Sequence, residues 1–151
     1  MFTDPQIRLA SDVLDTARDQ GAMIATAESC TGGLIAALLT EIAGSSAVVD
    51  RGFVTYSNEA KRDLLDVRPA MLEQLGAVSE EVSRQMSQGA LAKSGARYSV
   101  AVTGIAGPGG GTAEKPVGLV HIAVGASIGI FPKTVGHERC EFGDIGRAEV
   151  R

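Results

Sequence analysis

Short apolar segments alternate with amphipathic ones along this chain, and that alternation leaves few folds open. AMIATA (22–27) precedes a helical stretch from Gly33 to Ile42. RGFVTY (51–56) precedes two more, one from Asn58, its expected cap, to about Val67 and a short one from Arg68-Pro69 through Leu75. RYSVAVTG (97–104) follows a helix over 80–94 that Ser79 caps and Gly95 ends. Ahead of these, Ile7, Ala10, Val13, Leu14 and Ala17 recur at helical spacing within 5–18, with Asp4 placed to cap and Pro5 at the first helical position. Strands that alternate with helices build layered α/β domains around a largely parallel sheet. The last two candidate strands, GLVHIAVGAS (118–127) and KTVGHERCEF (133–142), are joined only by IGIFP. A parallel crossover needs about a dozen residues or more, so this pair is expected as an antiparallel hairpin. The expected fold is therefore α/β, with a mixed, mostly parallel five-stranded sheet and helices on both faces. GDIGRAEVR (143–151) begins one further helix.

Bulk properties narrow the function. A length of 151 residues, 44% of them hydrophobic, suits one packed domain spanning 1–151. A net charge of −4, aromatics at 4% and no Trp argue against a nucleic-acid partner, which would want basic runs and stacking platforms. No stretch approaches the ~18 apolar residues of a membrane span, and the N-terminus lacks the pattern of a signal peptide. Cys30 and Cys140 have no metal-ligand spacing and read as reduced thiols of a cytoplasmic protein.

In open α/β sheets, ligands bind beyond the carboxyl ends of the strands. The first candidate strand is followed by Glu28-Ser29-Cys30-Thr31-Gly32-Gly33, the second by Ser57, Asn58 and Lys61 after its terminal Tyr56, and the third, ending in Thr103-Gly104, by a Gly-rich loop. Parallel strands would bring all three sets to one edge. Ser29 suits a helix cap, but Thr31 could cap equally well and leave Ser29 free as a nucleophile beside the N–H groups of a first helical turn. Cys30 is an alternative nucleophile or a small core residue. A serine nucleophile needs a base. His121 and His137 fall inside strands four and five, away from those strand ends, so a histidine triad is not favoured. Lys61, near a helix start, is opposed by the macrodipole, and burial would favour its neutral amine further. Its alternative is a solvated surface lysine. Tyr56 could relay a proton, orient the amine or pack as a strand-end aromatic. The loop GIAGPGGGTAEKP (104–116) lacks both the Walker A and the G-x-G-x-x-G pattern, and suits either a flap over a ligand or a plain connector.

TAESCTGG, IAGSS, RGFVTYSNEAK, GAVSEEV and TGIAGPGGGTAEKPVG, in this order, closely resemble the CinA C-terminal domain family. The resemblance implies a three-layer α/β/α sandwich around a mixed five-stranded sheet. It implies hydrolysis of the carboxamide of nicotinamide mononucleotide, without a metal or other cofactor. The family's catalytic serine falls on Ser29, and its lysine and tyrosine on Lys61 and Tyr56. Thr103 through Pro108 are expected to line the site. The family usually reads G-D-R-x-x-x-R near its end. Here Ile145-Gly146 separate Gly143-Asp144 from Arg147 and Arg151, which are natural phosphate ligands. Family members also continue through a full C-terminal helix. Cys30, Thr31, Gly32, Gly33, Asn58, Thr103, Gly104, Arg147 and Arg151 make up the expected substrate-binding set. The expected partners are a small nucleotide and a second copy of the chain in a homo-oligomer, a dimer, with no nucleic acid and no membrane. Two rivals stand beside this reading: a nucleotide-binding regulatory module without turnover, and an amidase or esterase for another small substrate.

Overall fold

The structure is a computed structural model and describes residues 2–151. In chain order its elements are α1 (Asp4–Asp19), β1 (Ile24–Glu28), α2 (Leu34–Glu41), β2 (Val49–Val54), α3 (Asn58–Leu65), α4 (Pro69–Leu75), α5 (Glu80–Ala92), β3 (Tyr98–Gly104), β4 (Leu119–Ile128), β5 (Phe131–Glu141) and α6 (Arg147–Val150), with a 3₁₀ turn at Ser45–Ala47. The sheet order is β2-β1-β3-β4-β5. β1 runs parallel to β2 and β3, and β4 is antiparallel to β3 and β5, so β4 alone opposes the other four strands. The expected hairpin is present. Its turn is only Gly129-Ile130, because the ladder extends to an Ile128–Phe131 pair.

Side chains alternate between two cores. Ala25 and Ala27 of β1, with Ala101 and Ala123, pack against Leu65 of α3 and Val82, Met86 and Ala90 of α5. Ile24 faces the other way, to Ala10, Leu14 and Ala17 of α1, Leu39 of α2, and Val48. These residues make up the sandwich's two interfaces. Burying a Leu14 or a Met86 contributes about 1.5–3 kcal/mol each. Among the described residues, no helix is long and apolar enough to cross a membrane.

Three boundaries differ from expectation. The N-cap of α1 is Thr3, with Gln6 Oε1 accepting the Thr3 N–H at 2.8 Å, so Asp4 and Pro5 are its first helical residues. Ser57 caps α3, accepting the Ala60 N–H at 3.0 Å, and Asn58 is already helical. In both cases the preceding residue keeps the extended backbone that a cap needs. β2 stops at Val54, which leaves Thr55 and Tyr56 in the connection to α3.

Register decides where the loops meet. Glu28 lies opposite Val54 on one side and Val102 on the other. The ladder continues one residue further, through Ser29 N–H to Val102 O (2.9 Å) and Thr55 N–H to Glu28 O (2.8 Å). The carboxyl ends of β1, β2 and β3 are therefore level, as the sequence pattern implied.

Candidate active site

The turn after β1 is built around a carboxylate that the sequence argument left without a role. Glu28 is fully buried. Its two oxygens accept the Ile35 N–H (2.9 Å), the Ala36 N–H (3.0 Å), the Thr31 hydroxyl (2.7 Å) and the Thr26 hydroxyl (3.3 Å). A strand residue thus caps α2 from below. Neither Ser29 nor Thr31 is the cap: the N-cap position is Gly33, at φ 102°, and Thr31 braces Glu28. Gly32 (φ 59°) and Gly33 carry the left-handed turn that a side chain would strain. A helix N-terminus occupied by a carboxylate is not free for a phosphate, so any anion site must be made by other groups.

With the cap assigned elsewhere, Ser29 is left to a different partner. Its Oγ is 3.0 Å from Lys61 Nζ, across 32 positions of sequence. Lys61 is 1% exposed and makes no salt bridge among the described residues. Its other contacts are the carbonyls of Thr55 (2.9 Å) and Tyr56 (3.4 Å). Burial without a counter-ion favours the neutral amine and lowers its pKa from 10.5 to about 8. A neutral amine has two N–H donors and one lone pair. Two carbonyls take the donors, and the lone pair is left toward Ser29. No neighbouring cation is needed for the shift, because desolvation is its main cause.

The alternative nucleophile is buried in a second apolar cluster, although it also contributes to the cleft wall. Cys30 packs with Val102, Ala106, Val120 and Val150 on the α6 side of the sheet, and burial raises its thiol pKa. The N–H groups of Cys30 and Thr31 lie beside that thiol and have no backbone acceptor among the described residues. The histidines are bonded to each other, His121 Nδ1 to His137 Nε2 at 2.9 Å, next to Glu80 at 3.7 Å. Neither bonds Ser29.

A cleft of about 220 Å³ opens over the pair, lined by Ser29, Cys30, Tyr56, Lys61, Ala77, Val78, Thr103, Gly104, Ala106 and Arg147. Tyr56 offers its main chain, not its phenol, to Lys61; the phenol oxygen accepts from Arg147 Nη2 at 2.8 Å. Arg147 Nη1 donates to Gly107 O at 2.8 Å, so this arginine spans the cleft mouth from the Gly-rich loop to the β2–α3 connection. Arg151 Nη2 donates to Thr31 O at 3.2 Å. Arg147 thus lines the cleft, and Arg151 reaches the turn after β1 without lining the cleft, despite the two intervening residues at Ile145-Gly146.

Not every expected binding residue offers its side chain here. Thr103 Oγ1 donates to Ala77 O at 2.9 Å and ties β3 to the approach of α5. At Gly104 a Cβ would meet Val120 Cγ2 at 2.8 Å and Leu119 O at 2.9 Å, so the glycine serves packing under the cleft. Asn58 sits in a separate groove with Arg62 and Pro69, outside the cleft. Ala77 and Val78 were not anticipated as wall residues, although they belong to the GAVSEEV stretch that could have pointed to them. The Gly-rich loop is pinned rather than loose: Gly118 N–H donates to Ile105 O at 2.8 Å, and Lys115 Nζ donates to Leu75 O. No group of three or more His, Cys, Asp or Glu among the described residues could hold a metal ion.

Fold and site together define a three-layer α/β domain with a buried serine–lysine pair at the carboxyl edge of its sheet. Residues 6–151 match the CinA C-terminal domain, and the chain belongs to that family. It is 48% identical over 144 residues to the nicotinamide-nucleotide amidohydrolase PncC of Escherichia coli K12, covering 95% of this chain and 86% of that protein. It is 48% identical over 130 residues to a CinA-like protein of Chlorobium phaeovibrioides, covering 86% of this chain but only 29% of that longer relative. The crystal structure of the competence/damage inducible protein CihA from Agrobacterium tumefaciens superposes with a TM-score of 0.95 at 56% identity, covering 99% of this chain and 88% of that one.

Proposed function

We propose that this chain converts nicotinamide mononucleotide to nicotinate mononucleotide and ammonia through an acyl-enzyme on Ser29. It is an enzyme acting on an amide, as its relatives named nicotinamide-nucleotide amidohydrolase indicate at 48% and 51% identity. The observation that carries the mechanism is the buried Lys61, without a counter-ion, at 3.0 Å from Ser29 Oγ.

Ser29 Oγ attacks the carboxamide carbon, and its proton passes to the Lys61 lone pair. The N–H groups of Cys30 and Thr31 are the available donors for the oxyanion, held still by the Glu28 cap. The lysine ammonium then gives its proton to the leaving nitrogen, the C–N bond breaks and ammonia departs. Lys61, neutral again, deprotonates a water that cleaves the ester and regenerates Ser29. Arg147 at the cleft mouth and Arg151 beside the turn after β1 are the cations available to the substrate phosphate.

Ammonia release from nicotinamide mononucleotide, nicotinamide and NAD tests the reading. The mononucleotide is expected to be preferred. Ser29→Ala should lose several powers of ten in turnover with unchanged folding, while Cys30→Ala keeps most of it. An active Ser29→Ala with an inactive Cys30→Ala would transfer the role to the thiol. Equal efficiency on free nicotinamide would remove the phosphate from the reading.

A further inference from the structure

Thr55 has no exposed surface, and its Oγ1 is the one buried side-chain oxygen or nitrogen without a hydrogen bond among the described residues. An unpaired buried hydroxyl is unfavourable, and valine would fill the same space without it. Thr55 also occupies a particular place. Phe53 packs into the core on the α5 side, while Val54 lies against Gly33 on the α2 side. Alternation then sends the Thr55 side chain to the α5 side, where α3 carries Lys61. The ladder bond from Thr55 N–H to Glu28 O makes Ser29 its lateral neighbour, at the ~4.8 Å spacing of adjacent strands. Its own carbonyl already holds Lys61 Nζ at 2.9 Å.

Lys61 gains a proton in the reaction above, and an ammonium has three N–H groups to satisfy. Thr55 O takes one at 2.9 Å. Ser29 Oγ stands at 3.0 Å, but once acylated it is an ester oxygen and a weak acceptor. The remaining contact, Tyr56 O at 3.4 Å, is long beside the ~2.8 Å of a charge-assisted bond. The charged state therefore lacks an acceptor that the neutral state does not need, and the nearby hydroxyl lacks a partner.

We propose that Thr55 is a positioning residue of the reaction: its Oγ1 accepts an Nζ–H of Lys61 when the lysine takes the serine proton, after rotation about the last bonds of the lysine side chain. The proposal rests on the Ser29–Lys61 reading. In acylation only the Ser29 proton moves, and it leaves with the departing nitrogen; in deacylation the lysine takes a water proton and returns it to Ser29 Oγ. Because the hydrogen bond forms with the charged lysine alone, it stabilises the transition state more than the neutral-lysine enzyme from which the reaction starts.

Thr55→Val and Thr55→Ser test this against Ser29→Ala and Lys61→Met in one assay. Thr55→Val is expected to melt at or above the wild-type temperature. It should lose about 10- to 100-fold in kcat, the range of a hydrogen bond to a charged group. Its rising pH limb should move to lower pH, because the ammonium has lost an acceptor. Thr55→Ser should restore both rate and limb. A readout independent of turnover is the pH midpoint for labelling Lys61 with an amine-acylating reagent, followed by mass spectrometry, which should fall in Thr55→Val. Wild-type kcat and an unmoved midpoint in Thr55→Val, with Ser29→Ala and Lys61→Met inactive, overturn the Thr55 role alone. A folded Thr55→Ser that fails to rescue overturns it too. Activity in Ser29→Ala or Lys61→Met overturns the underlying mechanism and the Thr55 role with it.

Discussion

Replacing Lys61 by methionine isolates what the proposed base does to the stability of the fold. The lysine is 1% exposed and its pKa falls from 10.5 to about 8 on burial. Each pKa unit corresponds to 1.36 kcal/mol, so at neutral pH the folded state carries a penalty of about 3 kcal/mol for holding a charge that the unfolded chain holds freely. The sign follows from proton counts. Between pH 8 and 10.5 the unfolded chain keeps a proton on this lysine that the folded chain has released. Wild-type stability therefore gains from this group as pH rises through that window, and below it the full penalty applies. Lys61→Met has no such group. Methionine fills the stem's space, but leaves the Thr55 carbonyl without its 2.9 Å donor, a loss of about 1–3 kcal/mol. That loss is the same at every pH, whereas the lysine penalty is not. The difference in unfolding free energy between the two proteins should accordingly move by about 3 kcal/mol in favour of wild type between pH 7 and pH 10.5. Urea unfolding at several pH values measures it, and every other titrating group is common to both chains. Parallel stability profiles for the two proteins would refute a buried lysine with a depressed pKa, and with it the neutral base.

The rate should rise along a limb centred near pH 8, the lowered pKa of Lys61. Lys61→Arg should not rescue turnover, since guanidinium stays protonated in proteins; substantial activity there would reduce the residue to a charge anchor. Glu28→Ala should destabilise the fold by about 3 kcal/mol, the scale of a lost cap plus hydrogen bonds to a buried carboxylate, and should lower kcat by loosening the Ser29 turn; urea denaturation and steady-state kinetics check both. Arg147→Ala and Arg151→Ala should each raise KM for nicotinamide mononucleotide by roughly tenfold or more, with less effect on the riboside that lacks the phosphate. Equal effects on both substrates would assign the arginines to bracing Tyr56, Gly107 and Thr31 instead.

Much of the fold was legible because its determinants are local. Helical spacing of Ala10, Leu14 and Ala17, the Ser79 cap and the short link before β5 each act over a few residues, and each holds in the structure. Convergence of the three strand ends followed from that element order alone. Caps slipped by one residue at Thr3 and Ser57 because a neighbouring hydroxyl or turn residue can serve as well, and only backbone conformation chooses between them.

The site divides differently. Motif resemblance named Ser29, Lys61 and the two arginines, but residue types could not say how they are bonded. That Glu28, rather than Ser29 or Thr31, caps α2 depends on a carboxylate reaching N–H groups seven and eight residues on. Whether Ser29 or Cys30 meets the lysine depends on strand alternation, which turns one to α3 and the other to the core beneath α6. Lys61 is suited to the proposed role of base only because tertiary packing removes it from water and supplies two carbonyls. The sequence by itself determined which elements form and in what order, since backbone propensity and hydrophobic period are read along the chain. Tertiary structure alone decided the pKa of Lys61, the partner of Ser29 and the isolation of Thr55. Desolvation and hydrogen-bond pairing depend on which groups meet across the sheet, and those groups lie far apart in the chain.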